Sequence, residues 1–115
     1  MIFAVPSHIE LIKKAIKTET RRNASAINRY EVGKTYAIQP KRTAKGIPEG
    51  RILIKRKWIE AKTVNFPITE KSAIAEGNYT VESYEKLYEK LNPNWTLRAT
   101  FSFAYVVPKF VEANL

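Results

Sequence analysis

The chain has 115 residues, 44% hydrophobic and 27% charged, which are the proportions of one ordinary globular domain spanning 1–115. Twenty Lys and Arg stand against eleven acids, all of them Glu, for a net charge of +9. With no cysteine and a single histidine, disulfides, thiol nucleophiles, thiolate metal sites and sites built on two imidazoles are excluded, and no cofactor or metal is expected. No apolar run reaches the length that spans a bilayer, so the expectation is a soluble, cytoplasmic protein.

In chain order, Ile2–Val5 reads as a short strand, and Ser7 with Glu10 reads as a capping box opening a helix. Ile9, Ile12 and Ile16 set the apolar stripe of that helix, which is expected to run to about Lys17. His8, in its first turns, reads as a surface residue. The polar stretch 18–25 lacks a period and is expected to be a loop. A turn at Val32–Lys34 feeds a strand over Thr35–Gln39, and 41–50 reads as a mobile loop. Arg51–Glu60 alternates as a long strand, with Ile52, Ile54, Arg56 and Trp58 on one face. Thr63–Phe66 reads as a short partner strand. Thr69 caps a helix stopped at Gly77, Thr80 caps a second over Val81–Leu91, and Thr96–Val107 reads as an aromatic strand. Together these elements predict an α+β domain.

The positive charge is lopsided. Residues 1–67 hold fifteen basic and five acidic side chains, and residues 68–115 hold five and six. Such concentration predicts a polyanion-binding face, with Lys41, Arg42, Lys55, Arg56 and Lys57 joined by Arg21 and Arg22 as contacts to RNA. The alternative is a solvated basic surface with no ligand. Trp58, Tyr36, Tyr79 and Trp95 are the aromatic candidates for stacking on an unpaired base, although core packing accounts equally for them.

Chemistry concentrates after the first helix, where Lys17-Thr18-Glu19-Thr20-Arg21-Arg22 brings together an amine, hydroxyls, a carboxylate and guanidinium groups. This Lys-Thr-x-Thr-x-Arg pattern is followed by Val32-Gly33-Lys34, a basic strand at Gly50–Lys57 and the Ala–Glu–Gly helix ending at Gly77. In that order the sequence resembles the ASCH family. The resemblance implies a PUA-like β-barrel of about five to six mixed strands flanked by helices. It also implies binding of RNA, single-stranded or modified, or of a modified nucleoside. Some members resemble amidohydrolases that remove the acetyl group from N(4)-acetylcytidine, and others are ribonucleases. The amidohydrolase pattern of Lys, Thr and Glu falls on Lys17, Thr20 and Glu76.

A Thr hydroxyl becomes a nucleophile only when a base takes its proton, and a lysine serves as that base only with its pKa brought well down. Each residue also has a structural reading: Lys17 as a cation at a helix end, Thr20 as a loop hydroxyl bonded to backbone. For Glu76 the structural reading is slightly less comfortable, with no obvious capping role, since an acid is unfavourable at a helix C-terminus. One departure from the pattern is Arg21, which stands where an apolar residue is usual. A cation at a pocket mouth suits an RNA chain, and Glu19 beside it is a candidate to neutralise it. A nucleic-acid- or nucleoside-binding domain with a basic cleft between Thr20–Arg22 and Lys55–Lys57 is therefore the leading expectation, with amide hydrolysis second and ribonuclease third.

Overall fold

Arg51–Ala61 and Leu97–Val106, rich in Ile, Phe, Thr and Tyr, form the two longest strands of the computed structural model and pair antiparallel along nearly their whole length. The structure describes residues 1–41, 50–62 and 68–107. Within them lie four strands, β1 (Glu19–Asn23), β2 (Thr35–Ala37), β3 (Arg51–Ala61) and β4 (Leu97–Val106). Three α-helices accompany them: α1 (Pro6–Lys13), α2 (Glu70–Gly77) and α3 (Val81–Leu91), with a 3-10 turn at Ala24–Asn28. The strands make one antiparallel sheet in the order β1-β4-β3-β2, curled into a half-barrel.

The α+β class is as expected; the count of five to six mixed strands is not reached among the described residues. Ile2 contributes a single parallel bridge to Gln39 rather than a strand, and Thr63–Phe66 lies outside the described residues. The stretch read as a loop at 18–25 is instead β1, an edge strand paired with β4 from Glu19 opposite Ser102 to Asn23 opposite Arg98. Helix α1 begins one residue before the expected box. Pro6 takes the first turn with Val5 as its cap residue, so Ser7 is already inside the helix and makes no cap bond. The caps of α2 and α3 are as read: Thr69 accepts from the Ser72 amide, and Thr80 forms a reciprocal box with Ser83.

The β3–β4 register shifts between Ile54, opposite Phe103, and Arg56, opposite Ser102, leaving Lys55 as the extra residue of a bulge. Directly opposed residues share a face, so the bulge reverses the parity of the strand. Ile52 and Ile54 face the same side as Phe103, whereas Arg56, Trp58 and Glu60 turn to the side of Ser102, Thr100 and Arg98. The expected common face for Ile54 and Trp58 therefore does not exist. One side of the sheet joins Ile54, Phe101 and Phe103 with Ile9 and Ile12 of α1 in the main core. The other meets α2 and α3, whose Ala73, Tyr84 and Tyr88 form a second cluster with Trp95.

Candidate functional site

A Schellman turn places Lys17. The Ile16 amide donates to Leu11 O and the Ala15 amide to Ile12 O, with Ala15 left-handed at φ 59°. The helix therefore ends four residues before Lys17, and the chain turns back toward the end of α2. There the Thr18 amide donates to Ala75 O at 2.8 Å, and the Lys17 ammonium donates to Glu76 O. Lys17 does complement a helix dipole, but that of α2 and not of its own helix. Its remaining donors go to Glu76 Oε1 at 3.2 Å and Glu19 O at 2.8 Å.

Three oxygens around Nζ match the three N–H groups of an ammonium. Lys17 is nonetheless 2% exposed. Burial lowers its pKa from the ordinary lysine value and outweighs the opposing pull of Glu76. The acid at the C-terminal end of α2, unfavourable alone, is thus held by cations. Glu76 Oε2 also accepts from Arg21 Nη1 at 2.9 Å.

Arg21 is a buried part of a cleft wall beside Lys17 and Arg22 rather than an exposed cation at a pocket mouth. It is 6% exposed, and its Nε and Nη2 grip both oxygens of Glu60 at 2.9 and 3.0 Å, while Nη1 divides between Glu76 and Glu19. Burial opposes its charge, but Glu60 and Glu76 prevail and raise its pKa. Glu60, though buried, is pulled down to about 2, chiefly by Arg21. It also accepts from Arg98 Nε at 2.8 Å and Trp58 Nε1 at 2.9 Å. Arg98, fully buried, lies 4.3 Å from the Trp95 ring centroid and 4.8 Å from that of Tyr88, and bonds Glu85 at 3.0 Å.

Along the edge of β1, between the N-terminal segment and α3, runs a cleft of about 250 Å³. Lys17, Thr20 and Glu76 all line it, with Arg22 beside them and Phe3, Tyr84 and Leu87 among its apolar walls. Thr20 Oγ1 accepts from Arg22 Nε at 3.1 Å, which leaves the hydroxyl proton available to a further acceptor. The Arg22 guanidinium lies 4.9 Å over the Phe3 ring, and burial lowers its pKa.

His8, read from sequence as a surface residue, lines the same cleft and bonds the Tyr79 hydroxyl at 2.8 Å. Burial, with Lys17 and Arg22 nearby, lowers its pKa to about 4, so it is neutral at pH 7. Gly77 makes room for that pair, since a Cβ there would stand 3.1 Å from His8 Nε2 and 2.9 Å from Tyr79 Cε2. His8, Phe3 and Tyr84 carried no sequence signal beyond the helical spacing of Tyr84.

The other basic candidates lie elsewhere, because β4 separates β1 from β3. Lys57 donates to Ile27 O and Tyr30 O and so anchors the 3-10 turn. Arg56 stacks 5.1 Å over Trp58. Lys55 borders a second groove with Lys13 and Tyr105, which Lys17 and Thr18 also line. Lys41 is exposed, and Arg42 lies outside the described residues. No group of three metal-ligating side chains occurs among the described residues, and no helix there is long and apolar enough to cross a membrane.

No family model and no curated protein matches the sequence. Among solved structures, the chain is similar to the ASCH domain from Lactobacillus crispatus JV V101, with a TM-score of 0.59 and 16% identity over 84% of this chain and 69% of that one. At that identity the likeness is one of architecture, and the chain has the fold of an ASCH domain.

Proposed function

We propose that the cleft beside β1 receives a pyrimidine base, either unpaired in an RNA strand or in a free modified nucleoside. The observation that carries this reading is the meeting of Lys17, Thr20, Glu76 and Arg22 at one apolar-walled cavity of about 250 Å³. A flat base needs a planar surface to stack on and an edge of matched donors and acceptors. Arg22, already stacked on Phe3, offers a guanidinium plane; Glu76 and the Thr20 hydroxyl offer acceptors. Binding of cytidine and of a short single-stranded RNA, followed by calorimetry, tests it. Arg22→Ala should weaken both about tenfold. Arg22→Lys should restore little of that loss, because an ammonium keeps the charge and not the plane. Binding untouched by either change overturns the reading.

The same convergence favours a second reading, hydrolysis of the acetyl amide of N(4)-acetylcytidine. Thr20 Oγ would attack the acetyl carbonyl, its proton passing to Lys17 in its neutral form or to Glu76, and then to the departing N4 amine as the C–N bond breaks. Water would release acetate from the threonyl ester in the second half. A Lys17 that stays charged would serve the developing oxyanion instead, leaving the proton to Glu76. Chromatographic release of cytidine by the native chain, absent in Thr20→Ala, is the expected result. No release by the native chain leaves binding alone.

A further inference from the structure

We propose that Glu60 is the positioning residue of the cleft: acting through Arg21, it fixes the Glu76 carboxylate against the Lys17 amine. The inference deepens the function proposed above and rests on that reading for its consequence, though not for its geometry. Glu60 does not itself line the cleft and reaches it only through Arg21. It sits one strand beyond β4, yet both its oxygens hold Arg21 in a two-pronged grip at 2.9 and 3.0 Å. With Nε and one N–H of Nη2 held by Glu60, the guanidinium plane is fixed so that Nη1 reaches Glu76 Oε2 at 2.9 Å. Glu76 Oε1 then meets Lys17 at 3.2 Å. The chain Glu60–Arg21–Glu76–Lys17 therefore has each charge oriented by the one behind it.

Glu60 is itself fixed from two further sides, by Arg98 of β4 at 2.8 Å and by the Trp58 indole at 2.9 Å. Arg98 is braced in turn by Glu85 of α3. The pairing also accounts for a cation at position 21: buried beside Lys17 and Arg22, Arg21 without Glu60 would compete undivided for Glu76. The groups that face Lys17 are Glu76 from α2, Arg21 and Arg22 from β1, and His8 from α1.

The test is the titration of Lys17, followed through its Cε resonance in lysine-labelled protein with no nucleoside present. Failure of the binding reading would leave this measurement intact. In Glu60→Gln, Arg21 turns wholly to Glu76 and a negative charge is lost, so the Lys17 midpoint should fall by about one unit. Ile54→Val, a destabilising control on the opposite face of the sheet, should leave it in place. Where Glu60→Gln does not fold, Glu60→Asp keeps the charge but withdraws it by one methylene, and a smaller fall is expected. A Lys17 midpoint unmoved in the folded Glu60 variant, with stability alone reduced, overturns the proposal.

Discussion

On one face of the sheet Ile54, Phe101 and Phe103 pack with Ile9 and Ile12 of α1, and on the other Arg21, Glu60 and Arg98 meet beneath Tyr84 and Tyr88 of α3. The first face needs only shape and hydrocarbon, so any group of matching volume serves it. The second encloses charge, and each member is tolerable only while its partners remain. Around that second face and the cleft, Lys17, Arg21, Arg22 and Arg98 are balanced by Glu19, Glu60, Glu76 and Glu85. A chain of +9 thus carries a locally neutral interior. Its surplus charge lies on exposed positions such as Lys14, Lys41 and Lys55. The difference separates two populations that composition merges: exposed cations at the surface, and enclosed ones each held by a carboxylate or an aromatic ring.

Breaking one charge should therefore do more than trimming the hydrocarbon. Glu60→Leu removes the carboxylate that Arg21 and Arg98 share in the interior and should cost about 3–5 kcal/mol in urea denaturation. Acid should act first at the seam between the faces. His8 is held near a pKa of about 4 in the folded chain, below its unfolded value of 6.5, so the unfolded state binds the proton first. Stability should be fully present above pH 6.5 and decline as pH falls toward 4, by about 2 kcal/mol allowing for partial exposure. His8→Gln should flatten that slope.

Glu60, depressed from 4.5 to about 2, should contribute stability above pH 4.5 and lose it only as pH falls toward 2, so the two groups separate in pH. Ile54→Val, on the hydrocarbon face, should cost about 1 kcal/mol at any pH in this range. Least of all, Thr100→Val should stay within about 0.5 kcal/mol of the native chain or stabilise it. Thr100 Oγ1, opposite Arg21 and Trp58, is buried without a hydrogen-bond partner among the described residues.

Helices α2 and α3 were legible because their signals are local: a threonine cap, an apolar spacing, a glycine at the end of α2 and a proline just past α3. Strands β3 and β4 were legible from their branched and aromatic content. Strand β1 was not, because Glu-Thr-Arg-Arg-Asn becomes a strand only against β4, far along the chain, and Arg21 is buried through partners 39 and 55 residues away, Glu60 and Glu76. The length of α1 misled for a related reason. Ile16 continues the apolar stripe, but the left-handed Ala15 ends the helix so that Lys17 can reach α2. Lys17, Thr20 and Glu76 could be named as a set only through family likeness. That Arg21 belongs to the interior was hidden, since nothing local distinguishes it from Arg22.

The bulge at Lys55 has a consequence for how the chain finds its fold. A strand of uniform alternation can slip by two residues against its neighbour and still present the same kind of side chain to each face, which leaves many near-equivalent pairings to sort. Here a two-residue slip would set Glu60 opposite Thr100 instead of Arg98, and would carry the extra residue away from the position where the parity changes. A misaligned β3–β4 pair would lose the cross-strand pairing of Glu60 with Arg98 and set the bulge against the wrong partner, and so come apart to search again. The irregularity thus acts as a checkpoint, narrowing the longest strand pairing in the molecule to one alignment before the rest of the chain closes over it.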